Sequence, residues 1–152
     1  MAEQYPQIVG EDERVARIIF SPSYIYNGHV SPTAFRWDIL PSGLAEDYIS
    51  VLRGDESSLD AQTKHFRVRK EGDVRYGYAL LGVGSIRDIG KGAIDMQTKV
   101  DVLSFPSKTH PNHAGIVVEV SNKRVTALTP VTPEIMMVQK ELAMRCSEIV
   151  KF

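Results

Sequence analysis

Two histidines stand three residues apart in Ser107-Lys108-Thr109-His110-Pro111-Asn112-His113, a polar loop between two runs of β-branched residues. A His-x-x-His loop can bring two imidazoles to one metal ion, with His29, His65 or Asp101 as further ligands and a metal-bound hydroxide as the reagent. Structural zinc takes four protein ligands and catalytic zinc three, and no third ligand stands here at a supporting spacing. Turn histidines, or one core histidine bonded to a backbone carbonyl, explain the pair more simply, so neither a metal nor any other cofactor is expected.

A second cluster is basic. Lys64 to Lys70 reads Lys-His-Phe-Arg-Val-Arg-Lys with no acid inside it. On a strand, Arg67 and Arg69 would project from one face about 7 Å apart along the chain, a spacing at which two guanidiniums can meet phosphates. Phe66, Tyr76 and Tyr78 could then offer stacking surfaces to unpaired bases. The alternative is a solvated strand edge guarded by charge. With 18 basic and 19 acidic side chains the net charge is −1, so no global field draws nucleic acid or an acidic membrane surface. Nucleic acid is therefore a disfavoured partner, and no membrane is expected.

Arg17 on a first strand, Tyr48 and Ser50 on another and Glu119 on a late one form a third constellation. Their order is similar to the arginine, serine, glutamate signature of the ADP-ribosyltransferases. That resemblance implies that the arginine and serine hold a dinucleotide and that the glutamate activates the acceptor. It covers these isolated residues alone: Ser50 lies in Ile-Ser-Val rather than Ser-Thr-Ser, and Glu119 in Val-Glu-Val rather than Glu-x-Glu. An Arg17 and Glu119 ion pair between neighbouring strands is the simpler account of the two charges.

Other chemistries find no support. Cys146 falls between Leu142 and Ile149 on an apolar helical stripe, where a nucleophilic cysteine would lack both a lowered pKa and a base, so it reads as a small core residue. No Gly-x-Ser-x-Gly elbow is present, and Gly82-Val83-Gly84-Ser85 lacks the Gly-Lys-Ser/Thr ending of a phosphate loop. A zinc deaminase would need a Pro-Cys-x-x-Cys element, which is absent.

The elements that must position these residues follow from periodicity. Strands are expected at Arg14 to Phe20, Arg36 to Leu40, Tyr48 to Arg53 and Asp73 to Val83, with Val100 to Phe105 and Ala114 to Val120 as a central pair and Val125 to Leu128 as a short addition. Asn27-Gly28 marks a turn, and Ser31-Pro32 caps a short helical turn. Leu59 to Phe66 should be helical behind Ser57 or Ser58, and Ile86 to Ile89 should add one more helical turn. The clearest helix opens at Thr132-Pro133-Glu134, with Ile135, Val138, Leu142, Cys146 and Ile149 as its buried stripe and Glu141 and Arg145 as an i,i+4 pair. Residues 1–13 are polar and read as a flexible leader, which leaves residues 14–152 as one domain.

Strands first and a closing helix describe an α+β fold: a single domain, mostly antiparallel sheet, with a C-terminal amphipathic helix packed on it. A chain of 152 residues can bury a core without staples, and its single cysteine suits a reducing compartment, so a cytoplasmic location is expected. Loose pairs of titratable groups, rather than a cluster, favour a protein-interaction or assembly module without catalysis, its partner another protein or a second copy in a homodimer. Tyr24, Tyr26 and Trp37, in an aromatic loop, are the binding residues on that reading. The rival is an enzyme or binder acting on a nucleotide or nucleic acid, with Arg67 and Arg69 on phosphate and Arg17, His110, His113 and Glu119 as catalytic candidates. Convergence separates the two, because an enzyme needs several of these side chains at one pocket.

Overall fold

A computed structural model describes residues 5–68, 70–93 and 97–152. The fold is α+β, dominated by one seven-stranded antiparallel sheet with the C-terminal helix on one face. Its strands are β1 (Arg14–Ser21), β4 (Ile49–Arg53), β5 (Val74–Gly82), β6 (Thr98–Ser104), β7 (His113–Val120), β8 (Lys123–Arg124) and β9 (Val150–Lys151). The order across the sheet is β6-β7-β4-β1-β5-β9, with β8 pairing the end of β7. A two-stranded hairpin, β2 (Ile25–Tyr26) and β3 (His29–Val30), turns at Asn27-Gly28, both at positive φ.

Period-two alternation gives the sheet two unlike faces. Val15, Ile19, Ile49, Val51, Ala79, Leu81, Ala114, Ile116 and Val118 are buried beneath α2 (Val83–Asp88) and α3 (Pro133–Arg145). Helix α3 begins as its sequence dictates: Thr132 accepts the Ile135 N–H and Pro133 occupies the first helical position. Its stripe buries Ile135, Val138 and Leu142. The helix ends at Arg145, short of Ile149, and the chain extends into β9 beside β5.

The opposite face is covered only in part. Here Ala16 and Leu52 meet Leu59 of α1 (Leu59–Thr63), flanked by Phe66, Tyr78 and Leu80. Helix α1 is shorter than its sequence suggests; Ser58 stands at its N-cap without a side-chain cap bond, and Asp55 caps the 3-10 turn that precedes it. The β6 and β7 pair, expected at the centre, forms one edge region, and β1 and β4 hold the middle. Residues Arg36 to Leu40 contribute only an isolated bridge, Ile39 to Ala45, and Val125 to Leu128 follow β8 as turn rather than strand.

Residues 5–13 lie against the sheet. Val9 is buried, its carbonyl accepts from Arg87 Nη2 at 2.8 Å, and Glu13 is joined to Arg53. Among the described residues no helix is long and apolar enough to cross a membrane.

Candidate active site

Strands β1 and β4 pair only at Val15 to Arg53 and Ala16 to Leu52, whereas β1 and β5 pair from Arg14 to Ser21 with one register shift between Ile19 and Phe20. Beyond Ala16 the two central strands part and open a cleft of about 290 Å³. Ala16, Ile18, Phe20, Val51, Leu52 and Phe66 form its apolar walls, and Arg17, Tyr24, Asp38, Glu46, Ser50, His65 and Arg67 bring polar groups to it. An apolar concavity with a few converging polar groups is the usual form of a small-molecule site.

Arg17 lines the cleft and bridges the gap between the strands. The parted strands leave the Ser50 carbonyl without a ladder partner, and Arg17 Nη1 donates to it at 2.7 Å while Nε donates to the Ala34 carbonyl at 2.8 Å. The guanidinium also lies over the Tyr24 ring, 5.6 Å from its centroid. Arg17 is 6% exposed, yet no carboxylate among the described residues is within ion-pair distance of it. Buried charges are ordinarily paired.

Ser50 stands on the cleft wall with a histidine behind it. In the β4 and β7 register Ser50 faces Gly115 and Leu52 faces His113, so Ser50 and His113 are diagonal neighbours on one face. Ser50 Oγ lies 2.8 Å from His113 Nε2, and His113 Nδ1 lies 2.8 Å from the Phe105 carbonyl. A carbonyl only accepts, so Nδ1 carries the proton and Nε2 of the neutral ring accepts from the serine hydroxyl. Burial lowers the His113 pKa below the usual histidine range, against the opposing effect of the Phe105 hydrogen bond, and so holds the ring in its basic form.

Tyr48 encloses this pair. Its ring stacks on Phe105 at 4.9 Å and meets His113 edge-on at 5.5 Å. Burial, reinforced by the adjacent Glu46 carboxylate, pushes its phenol up to about 12. The space that Tyr48 occupies exists because residue 115 is glycine: a Cβ there would lie 2.7 Å from Tyr48 Cβ and 2.9 Å from Phe105 Cδ2. Gly115→Ala is expected to destabilise the fold by about 1–3 kcal/mol, the usual cost of overpacking. It should also displace Tyr48 from His113, an effect visible as a shift of the His113 ring resonances in NMR spectra.

The remaining sequence candidates fall in several places. His110 bonds the Gln62 carbonyl at 3.0 Å and stacks at 5.2 Å on His65, which lines the cleft. It does not share a ligand position with His113, and among the described residues no three His, Cys, Asp or Glu side chains are grouped to hold a metal. Glu119 lies opposite Lys99 and Arg124, six residues along β7 from His113 and thus about 20 Å away. No Arg17 and Glu119 ion pair forms; the acids that line the cleft are Asp38 and Glu46. Arg67 is on an irregular segment rather than a strand, and Arg69 lies outside the described residues.

The aromatic loop packs inward: Tyr24, Phe35 and Trp37 are buried, while Tyr26 is exposed on the hairpin. Trp37 borders a separate groove with Thr126, Val131 and Gln139, and its indole Nε1 is buried with no hydrogen-bond partner among the described residues.

Cys146 is half-buried, with Sγ 3.3 Å from the Leu142 carbonyl, and burial pushes its pKa up to about 12. Iodoacetamide should therefore alkylate the native protein about a hundredfold or more slowly than the denatured chain, since the thiolate is the reactive form. Equal rates, followed by intact mass, would contradict that placement.

Sequence reasoning reached Ser50 only through a resemblance and named His113 as a catalytic candidate without pairing the two. A lone serine between Ile49 and Val51 signals a polar site on an otherwise apolar strand, but the His113 contact depends on a register 63 residues long. Asn112 was equally hidden: buried, it donates Nδ2 to the Arg53 carbonyl at 2.8 Å and fixes the loop that ends at His113. Comparisons of this chain with family models, curated proteins and solved structures find no match.

Proposed function

We propose that this protein binds an anionic small molecule of the nucleotide class in the cleft between β1 and β4, and acts on it there. The buried Arg17 guanidinium carries this reading: it lines the cleft without a carboxylate partner among the described residues, and a phosphate would supply the missing negative charge. Arg67 adds a second cation at the rim, and Phe20, Phe66 and His65 offer faces for a planar base. Glu46 and Asp38 border the same space, and carboxylates accept readily from ribose hydroxyls.

Isothermal titration of the full chain with a nucleoside monophosphate, a nucleoside diphosphate and a nicotinamide dinucleotide tests the reading. At least one should bind and raise the melting temperature, because a ligand at a hundred times its Kd adds about 2.7 kcal/mol of stability. No heat and no thermal shift from any of the three at millimolar concentration would overturn it.

A protein-interaction module is the second reading. Leu44, Leu128 and Val131 are exposed on adjoining loops, which the Ala127 N–H to Glu46 carbonyl bond ties together at 3.0 Å. Sedimentation equilibrium across the micromolar range is its test, and a monomer throughout would remove the homodimer form of this reading.

A further inference from the structure

We propose that Ser50 is the nucleophile of this cleft, that His113 is its general base, and that the serine attacks the phosphorus of a phosphate ester held beside Arg17. The ligand class rests on the reading above, whereas the nucleophile rests on independent geometry.

Three features define an activated serine: a base within hydrogen-bond reach, a group that fixes the base in the correct tautomer, and an opening to substrate. The Ser50 Oγ to His113 Nε2 separation of 2.8 Å supplies the first. The Phe105 carbonyl, 2.8 Å from Nδ1, supplies the second. Ser50 borders the cleft and supplies the third. A fourth feature favours phosphorus as the electrophile. Arg17 Nη1 is anchored on the carbonyl of Ser50 itself, which holds the guanidinium against the residue where charge would build up on the phosphoryl oxygens.

The chemistry balances as a two-step hydrolysis. Ser50 Oγ bonds to phosphorus while His113 Nε2 takes the hydroxyl proton, and the ester bond breaks as the departing alkoxide takes that proton back. Water then attacks the phosphoserine, giving one proton to His113. The Oγ–P bond breaks, the serine oxygen recovers the proton, and phosphate leaves. One ester and one water become one alcohol and one phosphate.

Diisopropyl fluorophosphate tests the nucleophile directly, because Ser50 Oγ would displace fluoride and leave a stable diisopropylphosphoryl group. Treated full-length protein should gain one such group, and peptide mapping should place it on Ser50; Ser50→Ala should gain none. His113→Gln, verified as folded by circular dichroism, should label roughly a hundredfold or more slowly, the usual contribution of a general base. The wild-type pH profile provides a check that needs no variant. His110, the Tyr48 phenol and the Ser50 hydroxyl are the groups that face or influence His113. Burial lowers the His113 pKa, so the labelling rate should climb about tenfold per pH unit up to that pKa, below the usual histidine value of about 6.5, and then level off.

No adduct on Ser50 under excess reagent at pH 8, or a rate indifferent to both His113→Gln and pH, would overturn the proposal. A bound nucleotide should also slow labelling. Ser50 labelling that no nucleotide slows keeps the nucleophile and removes the nucleotide class, while nucleotide binding without any adduct removes the nucleophile and keeps the ligand.

Discussion

Glu13→Ala is expected to lower the unfolding free energy by about 1–3 kcal/mol, the cost of leaving the buried Arg53 guanidinium without its carboxylate partner, whose own side chain is 31% exposed. Arg53 is 1% exposed and therefore cannot take its charge back to water. Its Nε and Nη2 meet the two Glu13 carboxylate oxygens at 2.9 Å each, a bidentate pair, while Nη1 donates to the Pro6 carbonyl at 2.6 Å and to Ser104 Oγ at 3.3 Å. Without Glu13 the guanidinium keeps only neutral acceptors. Urea unfolding followed by circular dichroism measures the loss, and a change under 1 kcal/mol would show that the pair is relaxed by solvent. Replacing both partners with apolar residues, Glu13→Leu with Arg53→Met, should recover much of the loss, since the penalty comes from stranding one charge.

The same pair gives the fold a dependence on pH. Hydrogen bonding to Arg53 holds the Glu13 carboxyl below the usual glutamate range, partly offset by burial. As the pH falls, the unfolded chain takes up the proton first, near the ordinary glutamate pKa of about 4.3. The contribution of the pair is thus present in full above that value, and it is lost as the pH falls through the lowered folded value. In Glu13→Ala the acid limb of the stability curve should be correspondingly shallower.

The ion pair also shows where sequence was informative. Local chemistry fixes β1, β4, β5 and β7 through their β-branched runs, and α3 through Thr132, Pro133 and the stripe Ile135, Val138 and Leu142. Long-range pairing is not written in such runs. Every apolar strand here can sit at a centre or an edge, so the β6 and β7 pair looks central in sequence although it borders the sheet. The Glu11-Asp12-Glu13 run reads as solvated because nothing nearby in sequence reveals a buried arginine 40 residues later. Ile149 continues the helical period, yet the chain leaves α3 after Arg145, and Ser147 Oγ accepts from the Leu80 N–H at 2.9 Å as the segment turns toward the β5 edge. Tertiary pairing decides that boundary against periodicity. The cleft is the extreme case, for it arises from a ladder that stops after two residue pairs, a feature no residue type announces.

Arg17 is where the fold and the proposed function are hardest to separate, and two substitutions divide them. Arg17→Met should abolish nucleotide binding and also cost about 1–3 kcal/mol of stability for each of the Ala34 and Ser50 carbonyls it strands. Arg17→Lys keeps the charge but replaces a planar fork with a single ammonium, which cannot reproduce donations of 2.8 Å and 2.7 Å to two separate carbonyls while also facing a ligand. Its affinity should fall about tenfold or more, corresponding to at least 1.4 kcal/mol. Arg67→Ala at the exposed rim removes the other cation, where water already screens the charge, and should cost only about 0–1 kcal/mol of binding. The ordering matters more than any single value. Titration of all three variants should rank them Met, Lys and then Arg67→Ala in decreasing severity, with Arg67→Ala alone becoming indistinguishable from the wild type at high salt. If Arg17→Lys and Arg67→Ala weaken binding equally and lose it equally to salt, the cleft attracts its ligand through surface charge, and the buried guanidinium serves only to close the gap between the strands.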